Sequence, residues 1–451
     1  MIKTYILKLF ILILISAIFS SCDDPLEIEP AQEIRDDLAL NSPQNVRAVL
    51  IGAYDELGVS DVFGGEILMH SELLGGDDEI LWAGTFNAPR EIFNKDMQTV
   101  NGEAAEVWLE SYETINITNN VLNALDVFTD EDEKNTVEGE ARFIRALSYF
   151  ELARFYGLPY EAGITNSQLA VPLVLSPTIV LSEENLVSRN TVEEVYTQVL
   201  SDLNFAKNNL PSSNGFFATS GAASALLARV HLQMGNFAAA RDEANAVITS
   251  ENYELEGSFA NAFNQDANPD EYIFAMQVSS QDGINQMNTF FATPQFGARD
   301  GDVVILQGHL DLYPDGDDRG AFFYEDGDMF TSKYTNQFGN IPVLRLAEMY
   351  LIRAEANLEE GTTLGATPLE DINTIRERAN APLLNEVTLE DVYFERRLEL
   401  ALEGHKIHDI KRLKQNVGDL EYNANALVFP IPQRERNANN NLAQNPGYGD
   451  N

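Results

Sequence analysis

The stretch EGEARFIRALSYFELARFYGLP, Glu138 to Pro159, decides how this chain folds. Phe143, Ile144, Leu147, Phe150, Ala153 and Phe155 recur at helical spacing, while Arg142, Arg145, Ser148, Glu151 and Arg154 come every third residue. A three-residue step drifts around a helix of 3.6 residues per turn, so these polar side chains do not collect on one face. The segment therefore reads as a helix touched on most sides. An inner helix of a stacked helical array looks like this, with arginines paired to neighbouring acids, but so does a buried helix of any large α-helical domain, and the stretch alone favours the latter.

Towards the N-terminus, helical spacing returns from Glu103 through Val107, Trp108, Tyr112, Ile115, Val121, Leu122 and Leu125. With the acidic turn Thr129 to Glu133 between them, these two helices form an antiparallel hairpin. Asn41-Ser42-Pro43 supplies a cap and an N1 proline for a first helix that carries Val46, Val49, Leu50, Ala53 and Leu57 and ends at Gly58. Between the two, Gly64 to Thr99 breaks the pattern and reads as loop-rich.

Towards the C-terminus, Gly157 and Pro159 stop the central helix, and Val171 to Val174 is a short extended piece. Thr191 to Glu194 is a capping box that opens the next helix, which ends at Leu210-Pro211. In Ala225 to Ile248, the residues Ala228, Gly235, Phe237, Ala240 and Ala244 follow the tetratricopeptide rhythm, in which small residues let two helices cross closely and glycine makes the turn. Ala354 and Gly361 repeat that interval before a longer turn. Glu251 to Asn340 differs in kind, rich in Gly, Asp, Asn and aromatics, with strand patterns at Tyr272 to Met276 and Val303 to Leu306. A long non-helical stretch inside a helical array is a functional insertion more often than a linker. The fold class is mainly α, a tetratricopeptide-like helical-pair solenoid with a loop-rich insertion. Its divisions are a helical region over 41–250, the insertion over 251–340 and a second helical region over 341–451.

The chain begins Met1-Ile2-Lys3 with a second base at Lys8, then runs apolar from Leu9 to Phe19 and closes on Ser20-Ser21-Cys22. A basic start, a short apolar run and small residues describe a secretory signal peptide over 1–21. Cys22 is the only cysteine, so it has no internal disulfide partner, and it stands where the signal is cut. Phe19-Ser20-Ser21-Cys22 is similar to a bacterial lipoprotein box, with Phe19 where leucine is usual. Acylation of Cys22 would anchor the protein to a membrane without spanning it. Residues 22–40, acidic and bounded by prolines at DDPLEIEP, then form the tether.

With 71 acidic against 29 basic residues, the formal charge is −42. Such a surface repels nucleic acid and anionic lipid, which leaves neutral ligands as the expectation. A hydrophobic content of 44% argues for a folded core rather than an acidic disordered chain. No phosphate-cradling glycine loop or nucleophile elbow is present, and carboxylates are too abundant for any pair to mark a glycosidase.

His405 and His408 stand three apart beside Asp409 and could share a face as metal ligands, but no glutamate follows His405 as in HExxH, and packing is the reading. His70, His231 and His309 are isolated. Asp315-Gly316-Asp317-Asp318 and Asp326-Gly327-Asp328 offer oxygen ligands without EF-hand spacing. A structural calcium at Asp315, Asp317 and Asp318 is the one cofactor considered, against a solvated acidic turn.

Trp108 lies on a helical apolar face and is a core residue. Trp82 stands in the loop-rich segment beside Phe86 and Asn87, with no periodic face to join. Two readings remain for it: a plug that packs the loop onto the body, or a platform that stacks on the C–H face of a sugar while amides and carboxylates bond its hydroxyls. Phe290, Phe291 and Phe296 in the insertion have the same character. The candidate ligand surface is therefore Trp82, Phe86, Asn87, Phe290, Phe291 and Phe296, with both stretches on one face of the solenoid.

Longer motifs carry a resemblance. Arg145-Ala146-Leu147 with Tyr149-Phe150-Glu151-Leu152, Tyr156-Gly157, Val171-Pro172-Leu173-Val174, Arg189-Asn190-Thr191-Val192, Leu210-Pro211 and Asp317-Asp318-Arg319 belong to it. So do Arg345 to Ala356, Glu395 to Ala401, Pro430-Ile431-Pro432-Gln433 and Asn445-Pro446-Gly447-Tyr448. Together they resemble the SusD/RagB family of Bacteroidetes outer-membrane lipoproteins over nearly the whole mature chain. Glu403-Gly404-His405 followed by Asp409-Ile410-Lys411-Arg412 departs from it, because the family motif usually has arginine at one of the positions of His405 and Lys406.

The resemblance implies four tetratricopeptide-like pairs and a lipid anchor at the outer membrane, facing the exterior. It also implies a non-catalytic, lid-like role on a TonB-dependent SusC-like transporter. Family members capture glycans most often and peptides in some cases, so a glycan-binding protein is the first expectation and a peptide-binding one the second. A lipid-anchored hydrolase is a third reading, and a pure assembly scaffold a fourth.

Overall fold

A computed structural model describes residues 40–180, 182–281 and 283–449. The signal peptide, Cys22 and the tether up to residue 39 lie outside the described residues. The helices are α1 Pro43–Leu57, α2 Glu66–Gly75, α3 Asn87–Asn94, α4 Gly102–Asn123, α5 Glu131–Tyr156, α6 Val192–Asn209, α7 Ser220–Gln233 and α8 Phe237–Ile248. After them come α9 Gln286–Phe291, α10 Gln307–Leu310, α11 Leu346–Glu360, α12 Pro368–Arg378, α13 Leu389–Glu399, α14 Lys406–Arg412 and α15 Gln433–Ala438. Six short strands, β1 Ile80–Trp82, β2 Tyr272–Met276, β3 Val303–Ile305, β4 Phe323–Asp326, β5 Asp328–Thr331 and β6 Ile341–Arg345, complete it. The architecture is mainly α.

The helices stack in series: α1 on α4, then α5, α6, α7 and α8, with α8 against α11, and α11 against α12 and α13. Neighbour-only packing of this kind is what a helical solenoid does. Local signals set its ends. Ser42 caps α1 ahead of Pro43, Asp130 accepts from two amides of the first turn of α5, and Thr191 with Glu194 forms the expected capping box on α6. Gly235 takes φ +69° in the turn between α7 and α8, a left-handed conformation that costs glycine little and most other residues more.

Helix α5 is the inner helix that its sequence announces. Every residue from Phe143 to Tyr156 is buried. Its arginines are paired: Arg145 grips Asp202 of α6 with two nitrogens, each at 2.9 Å, and gives a third to Asn119 Oδ1 of α4 at 2.8 Å. Arg142 shares Asp202 at 2.8 Å, and Arg154 pairs with Glu151. One continuous core runs from Val46 to Leu442, and a smaller cluster of Leu351, Ala354, Ile372, Val392 and Leu400 ties α11 to α12 and α13.

Two segments differ from the sequence reading. Residues 64–99 are not all loop, since they contain α2, β1 and α3. Helix α2 is buried at nearly every position, with Glu66, His70, Ser71 and Glu72 inside beside Ile67, Met69, Leu73 and Leu74. Polar groups facing inward erase the amphipathic period by which a helix is recognised. The insertion over 251–340, in turn, is woven into the body. β2 pairs antiparallel with β6 (Tyr272↔Arg345), β3 pairs antiparallel with β1 (Ile80↔Ile305, Trp82↔Val303), and β4 and β5 make a tight hairpin through Gly327.

Candidate ligand-binding site

Strand β1 lies at the centre of the candidate site. Its pairing with β3 joins the Trp82 loop to the insertion, as the sequence reading expects. Ala83 N–H donates to the Asp302 carbonyl at 2.8 Å, and the Trp82 indole N–H donates to the Phe86 carbonyl at 3.2 Å. The Trp82 ring centroid lies 5.9 Å from Phe290, and Phe86 lies 6.3 Å from the same ring at an edge-on angle. Gly84 makes the close fit possible, because a Cβ there would meet both Asp302 and the Trp82 ring at 2.6 Å.

This packing corrects part of the expected surface. Trp82, Phe290 and Phe291 are only 5%, 4% and 0% exposed, so none of the three offers a free ring face. Trp82 takes the first of its two readings, a plug, because the indole is buried against Phe290 and its N–H is used by the Phe86 carbonyl. Phe291 packs on Tyr334 with ring centroids 5.6 Å apart. Phe86 is the open ring of the group at 44% exposed, with the Arg299 guanidinium 4.0 Å above one face and Arg299 itself fixed to Asp302 at 2.8 Å. Asn87 is exposed at the start of α3 and donates to Glu91 at 2.7 Å. Phe296 is half-buried and leans on Tyr324, centroids 5.0 Å apart.

At the N-terminal end of β1 opens a cleft of about 290 Å³ whose walls include Asp77, Asp78, Glu79, Ile80, His309, Tyr393, Phe394, Arg397 and Lys406. Glu79 organises its floor. One carboxylate oxygen meets His309 Nδ1 at 2.7 Å, and the other accepts from Arg397 and Lys406. Burial would raise the Glu79 pKa, but His309, Lys406 and Arg397 together outweigh it and hold the carboxyl well below the usual range. Burial also lowers His309, so the imidazole is neutral, with Nδ1–H donating to Glu79 and Nε2 accepting from the Tyr313 hydroxyl at 3.1 Å. The residues after α13 are pinned too: the amides of Gly404, His405 and Lys406 converge on one Glu72 oxygen at 2.9, 3.1 and 3.4 Å. Phe394 stands exposed at this cleft, as does the guanidinium side of Arg397.

Sequence reasoning missed the cleft because its partners are remote, with 230 positions between Glu79 and His309 and 327 between Glu79 and Lys406. His309 alone looked isolated. The acidic turns are also spoken for. Asp317 gives both oxygens to Arg319, at 2.9 and 2.7 Å, and Asp318 accepts from Asn380 at 2.6 Å. Among the described residues, Asp315, Asp317 and Asp318 do not converge three carboxylates. His405 and His408 are packed inside, and burial first, then neighbouring arginines, hold both far below the usual histidine range.

The family model described as "Starch-binding associating with outer membrane" matches residues 26–232, and that described as "SusD family" matches residues 322–428. The chain belongs to the SusD/RagB family. Among its relatives in that family, SusD-like protein P2 of Formosa agariphila is 27% identical, over 97% of this chain and 99% of its own. A solved SusD superfamily protein of Bacteroides thetaiotaomicron superposes with a TM-score of 0.80 at 25% identity, over 90% of this chain and 100% of that one. The starch-binding protein SusD of the same species is 33% identical over a shorter region, 24% of this chain and 22% of its own. The motifs that suggested SusD/RagB membership lie within the buried framework: Arg145 in α5, Arg345 at the end of β6, and Glu395 and Glu399 in α13.

Proposed function

We propose that this SusD/RagB protein is a non-catalytic, carbohydrate-binding lipoprotein. It captures a neutral oligo- or polysaccharide and passes it to a TonB-dependent SusC-like transporter. Cys22 is the point of lipid attachment, at the outer membrane and facing outward. No helix among the described residues is long and apolar enough to cross a membrane. Family membership and the similarity to the starch-binding protein SusD support the glycan reading.

The observation that carries the site assignment is the β1–β3 pairing, with an open aromatic ring, Phe86, in the segment that follows β1 and a polar cleft with a second open ring, Phe394, lined by the residues that lead into β1. Rings of this kind stack on sugar C–H faces, while Arg397, Asn87 and Asp78 offer groups for hydroxyls. Trp82 and Phe290 act from behind as the support that holds Phe86 in place, and Phe296 extends the aromatic edge.

Calorimetric titration of the purified protein with a panel of neutral oligosaccharides tests this. The expected outcome is binding of one glycan class that Phe86→Ala or Phe394→Ala weakens about tenfold, or 1.4 kcal/mol, at unchanged melting temperature. Binding of peptides but not of glycans would favour the peptide-capturing reading. New reducing ends during incubation would establish hydrolysis, and full affinity in both variants would move the site elsewhere.

A further inference from the structure

Glu66 and His70 stand four apart on α2 and so share one face, and Glu103 faces them from the first turn of α4. One ligand-type atom from each of the three lies within 4.8 Å of the other two. His70 is fully buried, and neither of its ring nitrogens makes a hydrogen bond with proper geometry. Its Nε2 nevertheless sits 3.2 Å from Glu103 Oε2. Two ligands of one zinc ion, each about 2.0–2.1 Å from it at a tetrahedral angle, lie about 3.4 Å apart, so this near but misaligned approach suits a shared cation better than a hydrogen bond. Buried acids such as Asp202, Glu348 and Glu399 meet arginines. Among the described residues, neither Glu66 nor Glu103 is ion-paired with an arginine or lysine.

We propose that Glu66, His70 and Glu103 form a site for one divalent transition-metal ion, of the zinc class, that staples α2 to the start of α4. An imidazole with two carboxylates favours zinc, cobalt or nickel over calcium and magnesium, which prefer all-oxygen shells. Glu103 reaches the surface and gives the ion a way in, while Glu66 and His70 close the inner side. His70 Nδ1 lacks the carboxylate or carbonyl partner that normally orients a ligating imidazole, so the affinity is expected to be roughly 10–100-fold below that of a fully supported site. Since α2 also carries Glu72 to the 404–406 amides at the cleft, the staple would stiffen one wall of the proposed ligand site without touching ligand.

The test uses untagged protein, full-length from residue 22 and stripped with chelator, titrated with Zn²⁺ by calorimetry and with Co²⁺ by visible absorption. Expected are one ion per chain, a cobalt spectrum of low-symmetry nitrogen and oxygen ligation, and a rise in melting temperature with Zn²⁺ but not Mg²⁺. Glu103→Gln, at the exposed edge and therefore tolerant of change, should lower affinity at least tenfold with the metal-free melting temperature preserved; His70→Gln should do the same if it folds. Glu113→Gln is the control, because Glu56, Glu110 and Glu113 form a separate, more exposed acidic group. Absence of binding, binding unchanged in Glu103→Gln, or binding lost in Glu113→Gln would each overturn the proposal.

Discussion

Removing the Trp82 indole empties a buried space beside Phe290 and leaves the Phe86 carbonyl without its donor. Large-to-small changes at such buried aromatic positions cost about 3–5 kcal/mol. Trp82→Ala is therefore expected to lower the melting temperature as strongly as Trp108→Ala, while Phe86→Ala leaves it within a degree or so. A parent-like melt for Trp82→Ala would show that the indole is not packed as described. The sequence reading groups Trp82, Phe86 and Phe290 but does not tell which ring is open. Phe86 and Trp82 are four residues apart in one irregular stretch, and only the arrival of Phe290 from the insertion decides which of them is covered.

Among the elements, the pairing of α5 with α6 rests on charge as well as on apolar contact. Asp202 is wholly buried between Arg142 and Arg145, and its loss strands the Arg145 guanidinium in the core with Asn119 as its remaining side-chain acceptor. Breaking a buried pair on one side typically costs about 3–5 kcal/mol, whereas replacing both partners by apolar groups of similar volume is often nearly neutral. Chemical denaturation of Asp202→Ala and of an Arg145→Met, Asp202→Leu double variant tests this; the double variant should recover much of the loss. If it is less stable than Asp202→Ala, the pair contributes net stability beyond its own desolvation. Helix α5 was legible because its three-residue polar step and its caps are local. Helix α2 was not, since Glu66, His70 and Glu72 face inward towards partners in α4 and the 404–406 turn that no local window contains.

For the whole molecule, buried charge sets the response to pH. Burial opposes ionisation of Glu399, Glu348 and Asp409, but Arg378, Arg345 and Arg319 around Glu399, Arg229 and Arg396 around Glu348, and Arg396 and Arg412 around Asp409 outweigh it, so all three carboxyls sit below their ordinary range. Groups lowered in this way contribute stability that is present above the unfolded pKa of about 4.3 for Glu and 3.9 for Asp, and lost as pH falls towards the folded values. Lys411 acts in a different window. Burial first, then Arg154, lowers it to about 7, so the unfolded chain binds the proton more readily between pH 7 and about 10. Stability should therefore rise across that range. Lys411→Met is expected to raise the melting temperature at pH 7, by up to about 4 kcal/mol in stability, and to flatten the rise above it. An unchanged slope in melts from pH 7 to 10 would show that Lys411 is not the group responsible. The helical class and the strands β2 and β3 were readable from period and composition, whereas the hairpin of β4 and β5 was not. The interior ion pairs were not, because any of the 71 acids could in principle face any arginine until the chain is folded.

The β1–β3 pairing has a further consequence, in the order of events as the chain is made. Ile80 must wait for Ile305, and Glu79 for Arg397 and Lys406, whereas α4 to α8 can dock on near neighbours as each emerges. Contacts between residues so distant close late, because the loop entropy has to be paid before the contact returns anything. A chain delivered N-terminus first thus has a helical body before it has a ligand site, and a molecule cut short before the C-terminal helices would carry the aromatic shelf but only one wall of the cleft.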